Sequence, residues 1–176
     1  MAGISLVVAA PAWAGDEVLY GPPAAWVVPA DMAAARAANR PIVLLDRQVR
    51  MEQGQESGFS DIALRIDSPE ALNALGPPTL SWQPAKGDLI IHRLEILRGD
   101  DVIDLLAGGA RFSVLRRETG LESRSIDGAL TATLAVPGLK VGDILRYSQT
   151  ITMRDQALGN DAQTVERLIP RPAQLG

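Results

Sequence analysis

From position 42 onward, apolar side chains recur at every second position in short runs, and Gly, Pro, Asn or Asp closes each run. A period of two sends successive side chains to opposite faces of an extended chain, so one apolar face marks a half-buried antiparallel strand. In residues 42–51, Val43, Leu45, Val49 and Met51 share a face, and Asp46, Gln48 and Arg50 lie on the other. Ile62, Leu64 and Ile66 alternate next. Further strands are predicted over 79–83, 89–97 with Ile90, Leu94 and Ile96 inward, 102–106, 111–118, 125–136, 141–153 and 164–169. In the longest, Leu145, Tyr147, Ile151 and Met153 are aligned. Ser68-Pro69-Glu70 reads as a helix start, and Gly76-Pro77-Pro78 stops that helix. Seven to nine short strands with one short helix, and no βαβ alternation, predict an all-β chain of immunoglobulin-like antiparallel β-sandwich type.

Aromatic residues make up only 4% of the 176 residues, so the core must be built from Val, Leu, Ile and Ala. The net charge of −4 gives no basic footprint for nucleic acid. There is no cysteine, which excludes disulfides, thiolate metal sites and a cysteine nucleophile within the chain.

The N-terminus bears on location. An apolar run at 4–10 is followed by Ala12-Trp13-Ala14, the small-x-small spacing read by signal peptidase. Residues 1–14 are therefore predicted as a signal peptide cut before Gly15, which places the mature chain in the periplasm or otherwise outside the cell. No Lys or Arg precedes Ile4, and the competing readings are a truncated start and a short apolar strand. The run is too short to span a membrane, which takes about 20 residues. Residues 15–40 read as an extended leader crossing the domain, with Trp26-Val27-Val28 as its anchor and one helical turn in the Ala-rich patch. Residues 41–169 are the expected β domain, and the Pro-containing 170–176 the start of a linker.

Chemistry-bearing residues are few. The only histidine, His92, is placed by alternation on the apolar face of its strand, where a packed, hydrogen-bonded role fits better than general-base work. Asp100, Asp101 and Asp104 crowd a turn. They could serve a hard cation or a carboxylate-based hydrolase, but turns collect Asp for conformational reasons, and a solvated hairpin tip is favoured. Asp143 is expected to cap or pair. Arg116, Arg117, Glu118, Glu122 and Arg124 form a mixed run read as a solvated strand face. No phosphate loop and no G-x-S-x-G occurs. No catalytic, cofactor-binding or metal-binding residue is assigned.

Several blocks carry a resemblance: Ile91-His92-Arg93; Leu97-Arg98-Gly99-Asp100 with Asp104; Leu115-Arg116-Arg117-Glu118 with Leu121-Glu122; Asp127-Gly128-Ala129-Leu130-Thr131; and, most specific, residues 137–148 (PGLKVGDILRYS). Ala25-Trp26-Val27 and Leu45-Asp46-Arg47-Gln48 add to it. Together they resemble a bacterial domain-of-unknown-function family whose members precede a transglutaminase-like, papain-fold domain in exported proteins. The resemblance implies an immunoglobulin-like sandwich, export, an adjacent transglutaminase-like domain as partner, and no catalytic residue to transfer. The chain departs from the family after the long strand, where Met153-Arg154-Asp155-Gln156-Ala157 replaces a Gly-Asn-Pro-type turn. The leading expectation is a non-catalytic module that packs on, or presents substrate to, that domain. A free-standing binding module for a cell-envelope glycan or peptide is the alternative, with Trp26 and Trp82 as its available aromatics. A hydrolase built on Asp100, Asp101 or Asp104 is the third.

Overall fold

The computed structural model describes residues 15–37, 40–116 and 128–154. Among these lie nine strands and two helices: β1 Leu19–Tyr20, α1 Met32–Ala37, β2 Ile42–Glu52, β3 Gln55–Arg65, α2 Pro69–Leu75, β4 Thr79–Trp82, β5 Leu89–Arg98, β6 Asp101–Asp104, β7 Ser113–Arg116, β8 Leu130–Thr133 and β9 Ile144–Arg154. The predicted signal peptide, the run 164–169, the linker and most of the mixed charge run lie outside the described residues.

Six strands form one sheet in the order β1-β5-β9-β3-β2, with β6 also pairing β5, and β4-β8-β7 form a second. All pairings are antiparallel except β1 with β5, which is parallel. The two sheets share one aliphatic core. Leu89, Ile91, Leu94, Ile96 and Leu145 of the large sheet meet Leu80, Trp82, Leu130 and Ala132 of the small one. On its other face the small sheet carries a hydroxyl ladder, in which Ser81 and the buried Thr131 approach to 3.2 Å.

Three expectations are corrected. There are two short helices, not one: Asp31 Oδ1 accepts from the Ala33 and Ala34 amides and caps α1, and Ser68 Oγ accepts from Ala71 to cap α2. The second run begins at Gln55, seven residues before Ile62, because Gln53 and Gly54, both at positive φ, make a two-residue hairpin turn. In β5 the register shifts between Ile91 and Arg93, so His92 is the extra residue of a β-bulge. That bulge flips the parity of the strand. Leu89 and Ile91 face the core before it, Leu94 and Ile96 after it, and Ile90 does not.

The large sheet is covered on its second face as well. The leader crosses that face. Its start is held by β1, by the Phe112 amide donating to the Tyr20 hydroxyl, and by Arg111 over the Tyr20 ring. Its end, α1, lays Met32 and Ala35 on a small cluster of Val43, Ala63, Leu97 and Ile144. Arg36 donates to the Gly99 carbonyl.

Gly87 is fixed by close approach. Lys86 and Asp88 bond to the β9 backbone on either side of Gly87, and a Cβ on Gly87 would strike the Thr152 carbonyl. A Cβ on Gly58 would stand 3.8 Å from its nearest neighbour. Gly87→Ala is therefore expected to lose about 1–3 kcal/mol in denaturant unfolding. Gly58→Ala is expected to gain up to about 1 kcal/mol, because glycine weakens a strand interior.

Candidate functional site

The bulge at His92 aims two consecutive side chains, His92 and Arg93, at the outer face of the large sheet. Register brings Phe59, Asp61 and Ala63 of β3 and Arg146, Ser148 and Thr150 of β9 to the same face. Arg146 donates to both oxygens of Asp61, at 3.0 and 2.6 Å, and to Glu95 at 3.4 Å. Arg93 approaches Asp61 at 3.6 Å and Glu95 at 3.7 Å. The Asp61 and Arg146 side chains are only 4% and 11% exposed. Two guanidiniums and two carboxylates make this layer neutral, which is what lets it lie under an apolar cover.

That cover is the leader. Pro23, Val27, Pro29 and Ala30 close a cavity of about 230 Å³ over Phe59, Asp61, His92, Arg93, Arg146 and Ser148. Two side chains hold the leader by its backbone. Gln48 accepts from the Val28 amide at 2.9 Å and donates to the Val28 carbonyl at 2.7 Å, as a neighbouring strand would. His92 Nδ1 lies 2.8 Å from the Gly21 carbonyl. The expected Trp26-Val27-Val28 anchor thus acts through the Val28 backbone; the Val28 side chain is exposed.

His92 shows what this layer can do chemically. A carbonyl only accepts, so Nδ1 carries the proton, and Nε2 accepts from the Thr150 hydroxyl at 2.7 Å. The ring stacks on Phe59. A hydroxyl against an imidazole has the outline of a nucleophile and its base. Yet Thr150 is 5% exposed and does not line the cavity. Asp61, the carboxylate that could orient the ring, is committed to arginines. The arrangement is a latch that closes the leader onto the sheet.

The other predicted residues have structural roles. Asp104 Oδ1 accepts from the Ala107 amide and caps the turn after β6. Asp100 and Asp101 stand exposed at the β5–β6 tip. Among the described residues no three His, Cys, Asp or Glu side chains gather to hold a metal ion. Asp143 pairs, as expected. It accepts from Arg98 through both oxygens at 2.8 Å and from the Lys140 amide at 2.8 Å, while Arg98 also reaches the Gly138 carbonyl. This clasp folds residues 138–143 into a closed turn at the mouth of β9. Trp82 is core, and Trp26 stands half-buried at the wall of a second cavity. No described helix is long and apolar enough to cross a membrane.

The Asp61–Arg146 pair and the Gln48–Val28 clamp were not legible beforehand, because their partners are 85 and 20 residues apart. Asp61→Asn leaves Arg146 and Arg93 only Glu95 as a carboxylate partner and is expected to lose about 3 kcal/mol in denaturant unfolding.

Two pH windows follow. Burial, and secondarily the Arg93 charge, push the His92 pKa below 6.5 against the raising effect of the Gly21 carbonyl. The unfolded chain therefore takes up the proton first, and this stability is whole above pH 6.5 and lost as pH falls below it. The Arg98 hydrogen bond, helped by the Lys140 amide, holds Asp143 below 3.8 against its burial. Its contribution is present above 3.8 and lost as pH falls through the folded-state value. Melting curves should show His92→Gln flattening the slope just below pH 6.5 and Asp143→Asn flattening only the acid limb.

Comparison with known proteins agrees with this architecture. The crystal structure of "a putative protease from Parabacteroides distasonis ATCC 8503" superposes with a TM-score of 0.54 at 14% identity, over 62% of this chain and 22% of that one. The likeness is one of fold, and the chain spans about a fifth of that protein's length. No curated protein matches the chain in sequence. Residues 52–173, well over half the chain, match the family described as "Domain of Unknown Function with solved-structure structure (DUF3857)", and the chain belongs to that family.

Proposed function

We propose that this chain is a non-catalytic contact module, an immunoglobulin-like sandwich of an exported protein that packs on, or presents substrate to, a neighbouring transglutaminase-like catalytic domain. One observation carries the reading. The inner face of the large sheet is wider than the small sheet that covers it. Leu45, Val49 and Met51 of β2 share that face with Ile62 and Leu64 of β3 and Met153 of β9. Leu45, Met51 and Met153 remain 59%, 44% and 39% exposed.

Arg47, Glu56 and Ser60 share this face and divide it into two apolar patches, one around Leu45 and one around Met51, and exposed apolar patches mark interaction sites. This strip of two patches lies beside the outer edge of β2, which ends the sheet among the described residues. It therefore offers a partner both apolar surface and unpaired backbone groups. The solved neighbour, in which the shared fold occupies 22% of a longer chain, supports a module that works beside other domains. The non-catalytic half of the reading is supported by the latch role of His92 and the capping role of Asp104.

The test is a double substitution, Leu45→Glu with Met51→Glu, in the full-length protein. Both side chains are exposed, so the unfolding free energy of this domain should change by less than about 1 kcal/mol. Contact with the neighbouring domain should be lost, read as new protease cleavage between the two and loss of their cross-link. Unchanged cleavage and cross-linking would count against the strip as the contact surface.

A further inference from the structure

The turn end of the β2–β3 hairpin holds a second cavity, of about 260 Å³. Register explains its floor. Arg50 pairs with Ser57, Glu52 with Gln55, and Gln55 with Arg154 of β9, so these five side chains rise from three adjacent strands on the outer face. Trp26 supplies a wall. It sits in a turn closed by the Val27 amide donating to the Ala24 carbonyl at 3.0 Å, which holds the ring over the hairpin. Gln53 lines the rim and stands at φ 50°, a left-handed conformation that costs a non-glycine residue about 1–2 kcal/mol.

The polar groups of this cavity are unevenly satisfied. Arg50 is matched by Glu52 at 2.9 Å. Arg154 has no carboxylate partner among the described residues, and its Nε is buried without a hydrogen bond. The lining therefore carries one unbalanced positive charge beside a flat aromatic face, with two carboxamides and a hydroxyl around it. A planar guanidinium favours a carboxylate, which it grips through two parallel bonds. An indole face favours the C–H side of a saturated ring. Carboxamides and hydroxyls favour ring hydroxyls. The volume lies just below the range of about 300–1,000 Å³ usual for ligand pockets, which limits the occupant to a single ring.

We propose that this cavity is a binding site for a carboxylated sugar ring, with Trp26 stacking on the ring, Arg154 gripping the carboxylate, and Gln53, Gln55 and Ser57 reading hydroxyls. The site gives the module a ligand of its own and does not depend on the contact surface proposed above.

The test follows the Trp26 indole N–H by NMR in the ¹⁵N-labelled chain, with the resonance assigned from Trp26→Phe, during titration with D-glucuronate, D-glucose and acetate. Glucuronate should shift it saturably, with a dissociation constant on the order of 1 mM, the scale for a ligand of this size. Glucose and acetate should each bind at least about tenfold more weakly. Arg154→Gln should bring glucuronate down to the level of glucose, and Gln53→Ala, at the exposed rim, should weaken it with the melting temperature unchanged. No saturable shift with glucuronate would overturn the proposal. So would glucose or acetate binding as tightly as glucuronate, since the carboxylate or the ring would then go unread.

Discussion

Arg146 and Asp61 face each other near the middle of the large sheet, joined by two hydrogen bonds and almost out of contact with water. An ion pair in that position is tolerable only if both charges are matched and something keeps water from competing for them. Glu95 and Arg93 complete the charge balance. The leader supplies the cover, held at Val28 by Gln48 and at Gly21 by His92. A sheet with an aliphatic core on one face thus acquires a second, polar interior on the other. The leader is part of the fold, and its backbone carries the attachment.

This arrangement decides how the histidine and the acidic turn are used. His92 is the one residue whose chemistry suggests catalysis, and the bulge that presents it also pins it between the Gly21 carbonyl and Thr150. Asp143 and Arg98, both within the blocks of family resemblance, spend their charges closing the turn before β9. His92, Asp104 and Asp143 are occupied in holding loops and leader in place. Surface left unengaged lies elsewhere, on the apolar strip of β2 and β3 and in the hairpin cavity beside Trp26.

The strands were legible where alternation is unbroken. Leu145, Tyr147 and Ile151 face the core as their spacing required, and Ser68 caps its helix. Parity failed in β5, because Leu89, Ile90 and Ile91 are all apolar and nothing local distinguishes a bulge at His92 from a regular strand. The start of β3 was missed because Gln53 is an uncommon residue at positive φ, so Gln53-Gly54 lacks the Asn or Asp that signals a hairpin. Leu45, Val49 and Met51 of β2 share a face as expected, but the register shift between Ile42 and Leu44 sends Val43 to the opposite face, where it packs with Ala63 under α1. Leu45 and Met51 stay exposed while Asp46 and Gln48 lie on the covered side. Alternation reports which residues share a face; it does not report which face is buried when both are covered by something different.

The central claim is that the module works by contact through β2 and the strip beside it. Amide hydrogen exchange compares this domain alone with the same domain inside its full-length protein. The account predicts that amides of 42–52 become protected in the longer chain while those of β5 and β9, already interior, do not change. Equal exchange along β2 in both samples would contradict it.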